Sequence, residues 1–110
     1  MSDLSKTFSA LADPTRLSMV ETLMERGELP AGELSAQAPI SAPAISRHLK
    51  VLREAGIIRQ RAEGTHRFYS VRPEAMRAIS DWTIDHRAFW AGSLDRLDSL
   101  LALDPGDGEE

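Results

Sequence analysis

The sequence predicts a mainly α-helical fold with one β-hairpin, in the order of four helices, two strands and a fifth helix. Three observations support this prediction. Apolar residues recur at every third or fourth position in residues 3–12, 14–26 and 42–55 and again after residue 73, which is the period of amphipathic helices. Between residues 58 and 71 the period shortens to two, as in strands. Gly27, Gly56 and Gly64 stand where these segments end or reverse direction.

Three helices are predicted in the first part of the chain. Residues 3–12 form the first helix. Asp13 can cap the second helix, and Pro14 is at its first position, where the missing N–H of proline costs nothing. A third, short helix is predicted from Pro30 to about Gln37, and the stretch "APIS" separates it from the fourth.

The fourth helix combines an apolar face with a basic one. Ser41 is expected to cap it and Gly56 to end it. Ile45, Leu49 and Leu52 are spaced i, i+4 and i+7, so they share one face, which we expect to pack on the core. The basic residues of this helix are then left on the surface.

The distribution of charge along the chain is uneven. The whole chain has a formal net charge of -4. Residues 41–72 contain seven basic and two acidic residues, a charge of +5, whereas the other six basic and fifteen acidic residues give -9. A basic segment in an acidic chain indicates that a polyanion docks on one surface. The alternative is an ordinary solvated face.

The third and fourth helices followed by a basic hairpin make a winged helix-turn-helix. In this arrangement the second helix of the pair enters the major groove of double-stranded DNA, and the hairpin, or wing, runs along the backbone. The sequence therefore predicts a DNA-binding protein.

The expected DNA contacts fall into two groups. Arg47 is the main candidate for base readout, because its planar guanidinium matches O6 and N7 of guanine. Ser46 can hydrogen-bond a base or a phosphate, and Ala42 and Ala44 can contact a thymine methyl. The candidates for phosphate contacts are Ser41, Lys50, Arg59, Arg61, Arg67 and Tyr69.

The last helix is too long for a domain of this size. Its apolar residues step by three or four from Met76 to Leu101. About 28 residues at roughly 1.5 Å each give a helix on the order of 42 Å long. We therefore expect part of this stripe to be covered by a partner.

Three motifs, "ALADPTRL", "SRHLKVLREAGI" and "AEGTHRFYSV", resemble those of the ArsR-type bacterial repressors and stand in the same order. The similarity covers about residues 4 to 101. The motifs are specific as a set, although any one alone is weak. "DWTIDHRAFWAGSLDRLDSLL" is similar to a branch of the family with a Trp-rich last helix, whose members often sit beside a gene for a START-like protein that binds hydrophobic ligands.

The resemblance implies a homodimeric repressor that binds an inverted-repeat operator and leaves it when an inducer arrives. It also implies dimer contacts through the first and last helices, which agrees with the long apolar stripe. Trp82, Phe89 and Trp90 either form the dimer core or line a small-molecule inducer pocket. The residues expected at the dimer interface are Leu4, Phe8, Leu11, Ile79, Trp82, His86, Phe89, Trp90, Leu94, Leu97 and Leu101.

The chain departs from the metal-sensing members of the family. It has no cysteine, and its third helix, "AGELSAQA", offers no thiol ligand. Asp85 and His86 are adjacent and so point in different directions, and no histidine follows them. A tight zinc or cobalt site needs about four ligands. We expect no metal and no cofactor, and a signal that does not act on a thiolate.

The histidines have simpler interpretations. His48 lies beside the core row, where it either packs and hydrogen-bonds within the protein or contacts a phosphate. His66 on the wing is expected to be solvated or near phosphate, and His86 to be an interface residue.

Domain organisation follows from composition. Residues 1–103 are expected to form one winged helix-turn-helix domain with terminal dimerisation helices, and residues 104–110 a disordered acidic tail. The N-terminus has no signal-peptide pattern, and no apolar run reaches the length of a membrane span, so we expect a protein of the bacterial cytoplasm that meets DNA at the nucleoid.

Two other classes of function were compared with DNA binding. A winged helix that serves only protein interactions is possible, because the same fold supports different functions. The charge of +5 over residues 41–72 argues against it. An enzyme is disfavoured, since there is no cysteine, no glycine-rich phosphate loop and no pair of carboxylates beside a base.

Overall fold

The computed structural model describes residues 2–36 and 40–103, and the fold class predicted from the sequence is confirmed. The proposed tail, residues 104–110, lies outside the described residues. The elements in order are α1 (Ser2–Leu11), α2 (Pro14–Arg26), β1 (Leu29–Pro30), α3 (Ala31–Ser35), α4 (Ala42–Glu54), β2 (Ile58–Glu63), β3 (His66–Val71), α5 (Pro73–Asp85) and α6 (Arg87–Leu103).

The chain divides into two compact units, one ending at Ala78 and the other beginning at Ile79. The first unit holds the buried core, to which α2, α3, α4 and the start of β2 contribute. Full burial of each large apolar side chain contributes about 1.5–3 kcal/mol. The side chains with almost no exposed surface are Leu34, Ile45, Leu52, Ile57 and Ile58.

The start and end of α2 agree with the prediction. The Asp13 carboxylate accepts a hydrogen bond of 3.0 Å from the backbone N–H of Arg16, and Pro14 occupies the first turn. Gly27 has φ of +84° and donates its N–H to the carbonyl of Leu23 at 2.9 Å. Glycine adopts such a positive φ without steric cost, so it ends the helix here.

The start and end of α4 also agree with the prediction. The Ser41 hydroxyl oxygen accepts the backbone N–H of Ala44 at 3.3 Å, and Gly56 follows the helix with φ of +76°. The predicted core row of α4, Ile45, Leu49 and Leu52, is buried. Because this row fixes one side of the helix, the opposite side faces outward.

The wing belongs to a three-stranded antiparallel sheet in the order β1-β3-β2. The hairpin of β2 and β3 was predicted and turns at Gly64, which has φ of +64°. The strand β1 was not predicted: Leu29 pairs with Tyr69 and Pro30 with Phe68. Pro30 is the N-cap residue of α3, so the helix begins one residue later than predicted and ends at Ser35. The predicted end near Gln37 lies outside the described residues.

The predicted single last helix is interrupted at His86. The hydrogen-bond pattern nearly continues, because the N–H of His86 donates to the carbonyl of Trp82 at 3.2 Å and the N–H of Trp90 to that of His86 at 3.1 Å. However, Nδ1 of His86 lies 2.7 Å from the same Trp82 carbonyl, and the backbone N–H of His86 is shared with the carbonyl of Thr83. Competition for one acceptor and a shared donor are typical of a helix end.

No helix in the described parts of the chain is long and apolar enough to cross a membrane. The prediction of a single domain over residues 1–103 stays a prediction.

Candidate nucleic-acid interface

The outward face of α4 carries the residues predicted to read DNA. Ala42, Ser46, Arg47 and Lys50 are exposed, and Ala44 is half-buried. None of the ion pairs among the described residues involves Arg47 or Lys50. Two cations on one helix face, with no ion-pair partner in the described part of the chain, are available to an external anion.

Ser41, which is predicted to contact a phosphate, also caps α4. Its hydroxyl oxygen caps α4 by accepting the N–H of Ala44. A hydroxyl that accepts still has one O–H to donate. Ser41 is exposed, so this O–H can donate to a phosphate without loss of the cap.

The three arginines predicted to contact phosphate from the wing differ in their surroundings. Arg67 takes part in none of the ion pairs between described residues, whereas Nη2 of Arg59 lies 3.6 Å from Oε1 of Glu74. Arg61 is bound by two carboxylates. It donates to Glu28 through Nη2 at 2.8 Å and Nε at 3.0 Å, and to Glu63 through Nη1 at 2.9 Å.

The contacts of Arg61 with its two carboxylates change the pKa values of the paired groups. The hydrogen bonds from Arg61 lower the pKa of the Glu28 carboxyl, and the two carboxylates raise the pKa of Arg61 further above its ordinary value. The Arg61 guanidinium also lies 4.7 Å from the centre of the Phe68 ring, at a distance that favours a cation–π contact. Of the three, Arg67 is therefore the arginine most available to DNA.

Tyr69 is buried, and its hydroxyl already has an acceptor. It donates to Oε1 of Gln60 at 3.0 Å, and Nη1 of Arg53 donates to the same oxygen at 2.6 Å. Gln60 thus links the end of α4 to both strands of the wing. The sequence reasoning missed Gln60, although the hairpin register, which sets Gln60 opposite Tyr69, was a signal that could have found it.

His48 is half-buried on the side of α4 that faces the junction of α1 and α2. Its Nδ1 is 3.3 Å from Nη1 of Arg16 and 3.9 Å from Oδ2 of Asp13. The pKa of the Asp13 carboxyl is lowered, first by the backbone N–H of Arg16 and then by the charge of Arg16. Arg16 was also missed, because its contact with His48 spans 32 residues and leaves no local pattern.

The residues predicted at the dimer interface lie in two places. On α1, Phe8 is 41% exposed, while Leu4 and Leu11 are half-buried. In the second unit the exposed fractions are large for apolar side chains, for example 62% for Phe89 and 60% for Leu94. Ile79 is half-buried, and the other predicted residues of this unit are exposed: Trp82, His86, Trp90, Leu97 and Leu101.

Within the described residues, no three histidine, aspartate or glutamate side chains are grouped as a metal site requires. The expectation that the protein binds no metal stays a prediction.

The three-stranded sheet, the basic outward face of α4 and the wing define a winged helix-turn-helix protein of the DNA-binding class. A family model described as a helix-turn-helix domain matches residues 11–61. The chain is 37% identical over 102 residues to the HTH-type transcriptional regulator Rv2034 of Mycobacterium tuberculosis, covering 93% of this chain and 92% of that protein. It is 29% identical over 82 residues to the transcriptional repressor SdpR of Bacillus subtilis, covering 74% and 90%.

A solved structure has the same architecture. The crystal structure of an ArsR family transcriptional regulator aligns with a TM-score of 0.73 and 29% identity, covering 82% of this chain and 92% of that one. This chain belongs to the ArsR family of helix-turn-helix transcriptional regulators. The family resemblance found in the sequence is thereby confirmed, and the protein is a DNA-binding regulator and not an enzyme.

Proposed function

We propose that the protein is a homodimeric repressor that binds an inverted-repeat operator and is released by a small-molecule signal. The single observation that carries the DNA-binding part is the outward face of α4. There Arg47 and Lys50 are exposed and without ion pairs among the described residues, while the other side of the helix is buried. Repression is supported by the name of one relative, the repressor SdpR.

In this proposal α4 lies in the major groove. Arg47 reads a guanine through two hydrogen bonds, Ser46 contacts a base or a phosphate, and Ala42 and Ala44 meet thymine methyl groups. Ser41 and Lys50 bind phosphates at the edge of the groove.

The wing follows the adjacent backbone. Arg67 is the principal phosphate contact, because it has no carboxylate partner among the described residues. Arg59 contributes after it leaves its 3.6 Å contact with Glu74, a weak exposed ion pair. Arg61 and Tyr69 act mainly by holding the wing, because their polar groups are already bound within the protein.

The proposed partner of the exposed apolar residues in the second unit is a second copy of the chain. A two-fold axis sets the two copies of α4 in successive major grooves, about 34 Å apart, so that the operator is an inverted repeat. Apolar exposure on this scale is uncommon for a monomer and favours an interface. We propose that the dimer acts on DNA in the bacterial cytoplasm.

The signal that releases the operator does not act on a thiolate, because the chain has no cysteine. We propose that the signal is a small molecule, and that Trp82, Phe89 and Trp90 either line its pocket or form only the dimer core. Phe89 and Trp90 already stack edge to face at 5.0 Å, so they form an aromatic surface suited to an apolar ligand.

Fluorescence anisotropy tests the proposal. The purified protein is titrated into labelled DNA from upstream of its own gene and into a scrambled duplex, across a salt series and with metal chelated. Preference for the native duplex, two protomers per site and a binding constant that falls steeply with salt support it. Equal and weak binding to both duplexes, together with no enriched sequence in a genome-wide selection, contradicts it and favours a protein-interaction module.

A further inference from the structure

The Arg16 side chain connects the α1–α2 junction to α4 by hydrogen bonds. Its Nε donates to the carbonyl of Ala10, the next-to-last residue of α1, at 2.7 Å. Its Nη1 lies 3.3 Å from Nδ1 of His48 on α4, and its backbone N–H donates to the Asp13 cap. One guanidinium therefore joins the end of α1, the start of α2 and the helix proposed to read DNA.

The chemistry of this contact fixes the state of His48. A guanidinium only donates hydrogen bonds, so Nδ1 of His48 must accept, and the ring proton then resides on Nε2. The Asp13 carboxylate, 3.9 Å from the same Nδ1, is beyond hydrogen-bonding distance and acts as a nearby negative charge. The hydrogen bond from Arg16 to His48 is directional, because its acceptor is the single lone pair of Nδ1.

A second directional contact of α4 joins Arg53, in its last turn, to Gln60 at 2.6 Å and lies at the far end of the helix from Ser41. The apolar anchors of α4 are less directional. Ile45, Leu49 and Leu52 are apolar, and their burial turns this face of the helix towards the core but sets the angle about the helix axis less closely than a hydrogen bond does. Base readout is sensitive to that angle, because the two hydrogen bonds of an arginine to guanine require alignment in the groove. Because His48 follows Arg47 in sequence, a hydrogen bond that fixes His48 also restricts the orientation of Arg47.

We propose that Arg16 is a positioning residue, which sets the orientation of α4 for base readout by donating to His48. The proposal rests on the proposed function and adds to it a residue that determines specificity without touching DNA. Both described contacts of the Arg16 side chain lie inside the protein.

The first test compares three variants. Arg16→Met removes the hydrogen bond to His48. Arg16→Lys keeps the charge but replaces the guanidinium by a single nitrogen donor. Arg26→Met removes an exposed arginine from the same helix and is the matched control. We expect Arg16→Met and Arg16→Lys to weaken operator binding by about tenfold or more, and scrambled-DNA binding by no more than about threefold. The control, Arg26→Met, should change operator binding and scrambled-DNA binding by less than about threefold. The salt slope should not change for any of the variants.

The second test uses the shape of His48. Asparagine places an acceptor oxygen close to the position of Nδ1, whereas glutamine places its oxygen one bond further along the side chain. His48→Asn should therefore retain operator preference, and His48→Gln should lose it to the same extent as Arg16→Met. The double variant Arg16→Met with His48→Gln should bind no more weakly than either single one, since both remove the same interaction.

Three results would overturn the inference. The first is that Arg16→Met lowers binding to operator and scrambled DNA equally and reduces the salt slope by about one unit, which is the behaviour of a phosphate contact. The second is that His48→Asn is as defective as His48→Gln. The third is that the losses in the double variant multiply. Thermal melting by circular dichroism accompanies each titration, and if Arg16→Met does not fold, the Arg16→Lys and His48 variants decide the question.

The inference has a readout that needs no DNA. Long-range 1H–15N spectra of the free protein should show His48 with its proton on Nε2, and a mixture of tautomers in Arg16→Met. If the wild-type protein fails to prefer any DNA, the proposed function fails. A mixed tautomer in the wild type rejects the Arg16 contact itself.

Discussion

Arg61 and Glu28, 33 positions apart in the chain, form a bidentate salt bridge, with Nη2–Oε1 at 2.8 Å and Nε–Oε2 at 3.0 Å. Glu28 immediately precedes β1, and Arg61 lies in the middle of β2. The pair therefore spans the width of the sheet and links the wing to the α2–α3 connection. It also explains why the basic residues of the wing are not equivalent.

Arg47→Ala is expected to lower affinity for the operator by about 1–3 kcal/mol and to relax specificity at one base pair. The reason is that a single guanidinium recognises both acceptors of one guanine. Anisotropy titrations against operators substituted one base pair at a time measure this. Lys50→Ala is the matched comparison, because loss of a phosphate contact weakens all sequences alike. Equal losses on operator and scrambled DNA for Arg47→Ala would reassign Arg47 to the backbone.

On the wing, Arg67→Ala is expected to weaken DNA binding and to reduce the salt slope by about one unit. Arg61→Ala should leave the slope nearly unchanged, because its charge is already matched by Glu28 and Glu63. Titrations at four or more salt concentrations give the slopes. The distinction between paired and unpaired arginines is wrong if the two variants show the same decrease.

The Glu28 carboxyl is expected to titrate below its ordinary pKa of 4.5, because it accepts hydrogen bonds from Arg61. A carboxyl with a lowered pKa stabilises the fold above its unfolded pKa, and this contribution is lost as pH falls through the lowered folded value. Carboxyl 13C shifts followed by NMR give the titration curve. In Arg61→Met the pKa of Glu28 should return towards 4.5. An unchanged curve in that variant would show that Arg61 is not the cause.

Leu52→Ala is expected to lower the free energy of unfolding by about 2–5 kcal/mol, since Leu52 has no exposed surface and its truncation leaves a cavity. Urea denaturation followed by circular dichroism measures the change. Val51→Ala is a neighbouring control, because Val51 is 39% exposed and should cost much less. Similar costs at both positions would mean that α4 does not pack through the predicted row.

If the protein forms the proposed dimer, Leu94→Asp is expected to convert it into monomers, because the substitution introduces a charge among the exposed apolar residues of α6. Sedimentation equilibrium gives the molecular mass, and operator binding should weaken in parallel. Asp98→Asn, on the same helix, should remain dimeric. A dimer that survives Leu94→Asp would exclude this part of α6 from the interface.

Local signals in the sequence predicted most of the first unit. Asp13 and Ser41 as caps and Gly27, Gly56 and Gly64 at the ends of elements all act through backbone preferences of single residues, so they can be read without tertiary information. The exposed face of α4 followed from the spacing of its core row.

The features that were missed depend on distant residues. The strand β1 has only two residues, too few for a period, and exists because Leu29 and Pro30 meet β3. The interruption at His86 has no glycine or proline to mark it and arises from a side chain that shares the Trp82 carbonyl. Arg61 was predicted as a phosphate contact from its charge alone, because nothing near it in sequence points to Glu28.

The pairing of β1 with β3 has a consequence for the thermodynamics of recognition. An isolated two-stranded hairpin is marginally stable in water, and a flexible one must lose conformational entropy when it binds. Here the third strand and the Glu28–Arg61 pair restrict the hairpin while the chain folds. The conformational entropy of the hairpin is then lost during folding, so each phosphate contact proposed for the wing loses less of its free energy to ordering when DNA binds.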